Sequence, residues 1–102
     1  MHSNDLNSVQ EELVGLLQEE AAEIIQGLSK IRRVGTQFKC HGGEETNQDL
    51  LMKELTDFMM LLHMGFQEGI FNDKFDTPAY VEYKKEKLKK WTNLPHSLIE
   101  SI

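Results

Sequence analysis

Cysteine is almost missing from this chain. Cys40 stands alone among 102 residues, which excludes an intramolecular disulfide and agrees with a reducing, cytoplasmic setting. Long apolar runs are missing too: no stretch of about eighteen consecutive apolar residues occurs, so the sequence predicts no membrane span. Positions 1–8 are polar and lack the basic-then-apolar order of a secretory leader. Basic residues are in deficit, 11 against 17 acidic ones, for a formal net charge of -6. That balance argues against nonspecific binding to a nucleic acid polymer, because phosphate contacts need a basic surface. A small polyanion stays compatible where metals or a local lysine cluster offset the carboxylates. Strand-like alternation is absent throughout. What remains has the size of one domain over 1–102, with a modest core and a length at which oligomerisation helps.

The apolar residues that are present follow a helical period. Leu13, Leu17, Ala21, Ile24, Leu28 and Ile31 recur at spacings of three and four, predicting a helix from about Ser8 to Val34. Ser8 with Glu11 reads as a capping box, and Arg32, Arg33 and Gly35 suit a helix C-terminus. Thr36 to Thr46, with Cys40-His41-Gly42-Gly43, reads as a loop long enough to cover a site. A second helix is predicted from Gln48 to about Glu68, capped by Asn47 or Thr46. Leu51, Leu55, Phe58, Leu62 and Phe66 form its main stripe, but further leucines and methionines make it apolar almost all round. Such a helix must be covered on more than one side. Thr77-Pro78 signals the start of a third helix, which runs to about Thr92 before Asn93-Leu94-Pro95. Leu98, Ile99 and Ile102 predict a short C-terminal helix or strap. The expected fold is all-α: three main helices plus that short one, completing a four-helix-bundle-like core by assembly into a homodimer or homotetramer.

Acidic residues sit where this pattern makes them costly. Leu16, Glu20, Glu23 and Gly27 line one strip along the edge of the first apolar stripe; Leu50, Glu54, Asp57 and Leu61 do the same on the second helix. Side chains three or four apart on a helix share a face, and carboxylates resist burial unless their charge is compensated. The repeated pattern allows the strips to pack antiparallel with their carboxylates converging. Glu19 lies beside the strip, within reach of a second ion or a water, and Gly27 leaves room for a ligand. A set of carboxylates suits Mg²⁺, a hard cation that takes oxygen ligands and is shared with substrate phosphates, and that can activate water for attack at phosphorus. One Glu-x-x-Glu pair is commonplace on a solvated helix face; two with matched apolar flanks are less so.

Glu19-Glu20-Ala21-Ala22-Glu23 followed by Glu54-Leu55-Thr56-Asp57 resembles the signature of the MazG-like, all-α nucleoside triphosphate pyrophosphohydrolases, in their small phage and bacterial form. The similarity runs on to Gly35 and includes the closing Lys87-Leu88-Lys89-Lys90-Trp91, covering most of positions 15 to 91. The resemblance implies Mg²⁺ bound by Glu20, Glu23, Glu54 and Asp57, with Mn²⁺ as a substitute. It implies cleavage of a (d)NTP to a (d)NMP and pyrophosphate. Two departures stand out: Thr56 where many members have glycine, and a long linker with a Gly-Gly tip.

The third helix adds cations. Tyr80, Lys84, Lys87 and Trp91 fall on one face, so the lysines are candidates for phosphate contact and the aromatics for stacking on a base; the plainer reading makes them core residues and a solubilising face. Lys30, one turn past Gly27, is a further phosphate candidate. The competing function is a noncatalytic helical module that binds a partner or a nucleotide. A ferritin-like di-iron centre is disfavoured because Glu-x-x-His pairs are missing. His41, His63, His96 and Cys40 do not make a zinc spacing.

Overall fold

Two amides decide where the first helix begins. The Asn7 side chain accepts the Gln10 backbone N–H at 2.9 Å, and the Asn7 N–H donates to Gln10 Oε1 at 2.9 Å. The capping box therefore lies one residue earlier than the Ser8–Glu11 box expected, and Ser8 is already helical. Gln10 wins because an amide both accepts and donates: its Nε2 also reaches the Glu68 carbonyl at 2.7 Å. In the computed structural model, which describes residues 4–102, this helix is α1 (Ser8–Val34). Residues 1–3 of the polar N-terminal stretch lie outside the described residues. Gly35 ends α1 at φ 88°, a conformation that side-chain-bearing residues resist, with its N–H on the Ile31 carbonyl at 2.7 Å.

α2 (Asn47–Gln67) is capped by Thr46, whose hydroxyl accepts the Asp49 N–H at 3.0 Å while Asp49 accepts the Thr46 N–H at 3.1 Å. The Thr46 backbone N–H, and after it the Thr46 hydroxyl, hold the Asp49 carboxyl below its ordinary range. The intervening loop is tied to the start of α2. Gln48 N–H donates to Thr36 O at 3.0 Å and Asn47 N–H to Phe38 O at 2.9 Å. Lys39 and Thr46 make an isolated antiparallel bridge.

α1 and α2 run antiparallel. Gln10 meets the end of α2 at Glu68, and Gly27 meets Leu51 near its start. Leu13, Leu17 and Leu51 are buried along the seam, each such side chain contributing about 1.5–3 kcal/mol. Gly27 permits the close approach: a Cβ there would lie 3.0 Å from Leu51 Cδ1. The room beside Gly27 expected for a ligand is thus partly taken by Leu51. Beyond α2, Phe71 folds back over Gly65, where a Cβ would lie 2.5 Å from the ring. Much apolar surface stays uncovered, including Ile25, Leu28, Met52, Met59 and Phe66.

The chain divides into two units, the first ending at Phe71 and the second spanning Asn72–Ile102. The second contains α3 (Thr77–Trp91) and α4 (His96–Ile99). Asp76, not Thr77, caps α3, accepting the Ala79 N–H at 3.1 Å; a carboxylate beside the helix start also suits its dipole. α4 packs on α3 through Ile99, 3 % exposed. Lys85, in the middle of a lysine-rich run, is 7 % exposed and donates to the Ile102 carbonyl at 2.6 Å and to Glu82 at 3.3 Å. Lys89 bridges Glu86 at 3.2 Å and Glu100. The fold is all-α, and no described helix is long and apolar enough to cross a membrane.

Candidate functional site

The antiparallel register brings three of the expected carboxylates together. Glu20 and Glu23, one turn apart on α1, meet Glu54 from α2, and one oxygen from each lies within 4.8 Å of the others. Oxygens across an octahedral Mg²⁺ span about 4.2 Å, a spacing that small side-chain rotations reach.

Two features describe the charge state and pairing of this cluster. Glu20 Oε2 is buried and has no hydrogen-bond partner among the described residues. Leaving a buried acceptor unpaired costs about 1–3 kcal/mol, more when it is charged, and an ionised carboxylate has no proton with which to pair itself. Glu23, meanwhile, has its carboxyl held above the usual range, first by a hydrogen bond to Glu54, then by the Glu54 charge, then by partial desolvation and Asp57. A carboxyl raised in this way keeps its proton to higher pH than an ordinary one, so protons compete there with any cation that binds. Its donor set, oxygen only, suits Mg²⁺ or Mn²⁺.

Asp57 lies at the edge of this set. It shares a groove with Glu20, Leu16, Leu61 and Met64 and acts on Glu23 through its charge, but it stands outside the close trio. Glu19 is exposed and also outside the trio. Thr56 turns its hydroxyl back on its own helix, donating to Met52 O at 2.7 Å, so the residue that replaces the expected glycine leaves the carboxylate face free.

Lys30 does join the site. It lines a cavity of about 290 Å³ with Glu23, Glu54, Gly27 and Leu50, placing one cation beside the carboxylates. Lys84, Lys87, Tyr80 and Trp91 sit on α3, in the second unit. Tyr80 stacks at an angle between Phe75 and Tyr83, with centroids 5.6 and 5.9 Å away, and Lys87 Nζ stands 5.2 Å over the Tyr83 ring. Trp91 is exposed and carries Lys90 at 5.4 Å. The aromatics are therefore not core residues, and Tyr83, which the sequence reading passed over, belongs to their row.

A second cavity also escaped the sequence. About 280 Å³ in size, it adjoins the first through Lys30, Asn47 and Leu50, which line both, and is closed by Arg33, Val34, Phe38 and Cys40. Its one sequence signal is Phe38, an aromatic in an otherwise polar loop. Comparison of the chain with protein-family models, with curated proteins and with solved structures finds no match.

Proposed function

We propose that this chain is a Mg²⁺-dependent nucleoside triphosphate pyrophosphohydrolase of the MazG-like type, hydrolysing a (d)NTP to a (d)NMP and pyrophosphate. The observation that carries the reading is the unpartnered, buried Glu20 oxygen inside a cluster with Glu23 and Glu54. A helical module with no ligand could replace such a group by an apolar one at little cost. Glu20, Glu23 and Glu54 hold the cation, and Asp57 completes the set from the groove edge. When bound, Mg²⁺ supplies charge neutralisation for the phosphates and a more acidic water.

The chain's own residues do the rest. Lys30, at the cavity wall, offers a charge-assisted contact to a phosphate oxygen. Water attacks the α-phosphorus, the bond from that phosphorus to the bridging oxygen breaks, and pyrophosphate leaves with the electron pair. A cluster carboxylate takes the proton released by the water. On the second unit, Lys84 and Lys87 with Tyr80, Tyr83 and Trp91 form a basic-aromatic face, for which phosphate and base contact is likewise proposed.

Assembly belongs to the same proposal. The uncovered apolar residues of α1 and α2 exceed what a monomer ordinarily exposes, and a homodimer, or a homotetramer of two dimers, would complete a four-helix core. The exposed free thiol of Cys40 agrees with a cytoplasmic setting.

The test is incubation with a panel of NTPs and dNTPs plus Mg²⁺, with the products separated chromatographically. Monophosphate with pyrophosphate supports the reading. Diphosphate with phosphate, or no reaction with any nucleotide, contradicts it.

A further inference from the structure

We propose that the apolar cavity beside the carboxylate cluster is the nucleobase pocket, with Phe38 as the stacking residue; this rests on the pyrophosphohydrolase reading above. The two cavities share Lys30, Asn47 and Leu50 as a common wall. Each lies at or just below the lower edge of the roughly 300–1,000 Å³ usual for small-molecule sites. Joined, they suit a ligand with two chemically different ends. One end is carboxylate-lined and takes cation-bound phosphates. The other has Val34, Leu50 and an aromatic face, with Lys30 and Arg33 at its margin. A flat heterocycle attached to a polyanion matches that order of chemistry.

Phe38 is built for this role by its backbone rather than by a packed side chain. Its carbonyl accepts the Asn47 N–H at 2.9 Å, and the next residue, Lys39, pairs with Thr46. Upstream, the Gly35 carbonyl accepts Asn47 Nδ2 at 3.1 Å, and Asn47 itself is 5 % exposed. The segment is thus pinned on both sides of Phe38 while its ring stays half exposed. Stacking on an exposed aromatic ring tolerates every base, because each base has a π-face. Asn47 holds the floor between the phosphate end and the base end.

Cys40 on the same wall supplies a readout that does not depend on turnover. The rate at which a chromogenic disulfide reagent labels Cys40 is measured with Mg²⁺ and each of AMP, CMP, GMP and UMP, and their deoxy forms, and with inorganic pyrophosphate as control. At least one monophosphate is expected to slow labelling about tenfold or more at saturation, while pyrophosphate leaves the rate unchanged. Phe38→Ala is expected to raise the half-protecting concentration about five- to hundredfold, and Phe38→Tyr to restore it. Absence of protection by every monophosphate overturns the assignment, as does equal protection by pyrophosphate. Slowing by protein concentration alone, with no nucleotide effect, also overturns it and places a second copy in the cavity. Protection without hydrolysis removes the hydrolase reading but keeps the pocket; hydrolysis without protection removes the pocket and keeps the hydrolase.

Discussion

Glu23 and Glu54 face each other across the seam of α1 and α2, so close that the Glu54 carboxyl holds Glu23 above its ordinary range. Cation binding needs the ionised form of a carboxyl, so protons compete with the proposed Mg²⁺ at Glu23. Mg²⁺ affinity is therefore expected to rise as pH increases through and above the normal carboxylate range, with proton release on binding. The sign for the cation-free protein is opposite: a raised carboxyl favours the folded state below its unfolded value and loses that contribution as pH rises through the folded one. Calorimetric titration in buffers of differing ionisation enthalpy measures the released protons; zero release across the carboxylate range would contradict competition at Glu23.

Glycine substitutions probe the helix seam. Gly65→Ala places a methyl 2.5 Å from the Phe71 ring, whereas Gly27→Ala meets Leu51 Cδ1 at 3.0 Å. Alanine gains about 1 kcal/mol of helix propensity at either site, and overpacking costs about 1–3 kcal/mol. Gly65→Ala is expected to lower Tm, and Gly27→Ala to change it less. Thermal melts followed by circular dichroism rank the two; the reverse order would contradict the packing described.

On the second unit, Lys85→Ala is expected to release α4, because its ammonium holds the Ile102 carbonyl from a nearly buried position. A hydrogen bond from a charged group contributes about 1.5–3 kcal/mol. Lys84→Ala, on an exposed residue, should leave α4 in place. Acid acts through Glu100, whose carboxyl Lys89 holds below the ordinary range. That contribution is present above the unfolded carboxylate value and is lost as pH falls through the depressed folded one. Amide exchange across His96–Ile99 reports both effects, and equal protection in the two lysine variants would contradict the assignment.

The Lys85 result shows where the sequence stops being legible. Helix spans and the carboxylate register could be read because periodicity and caps are local properties of neighbouring residues. Cap identity slipped by one at Asn7 and at Asp76, where two competent caps stand side by side and tertiary partners choose between them. The four other lysines around Lys85 give no local sign of its burial, and its partner, Ile102, lies seventeen positions away. Gly27 could be placed on the right strip, but its neighbour depends on the closeness of α2. The second cavity exists only once Asn47 has drawn in Gly35 and Phe38, a closure that no periodicity announces.

Exposed Ile25, Leu28, Met52, Met59 and Phe66 predict self-association. Sedimentation velocity at micromolar concentration should show a dimer or tetramer, and Met59→Lys should shift it towards monomer. A stable monomer of the unaltered chain would contradict the proposed four-helix assembly.

The central claim is that Glu20 and its neighbours serve hydrolysis of a triphosphate, and phosphorus NMR of one reaction tests it most directly. With Mg²⁺ and a nucleoside triphosphate that the panel shows to be turned over, the unaltered chain should yield monophosphate and pyrophosphate resonances in equal amounts. Glu20→Gln, which keeps the shape and removes the charge, should lower that rate at least about a hundredfold, by the loss of roughly 2.7 kcal/mol or more of transition-state stabilisation, while its circular dichroism spectrum stays helical. A well-folded Glu20→Gln that turns over at the unaltered rate would contradict the account, as would orthophosphate appearing in place of pyrophosphate.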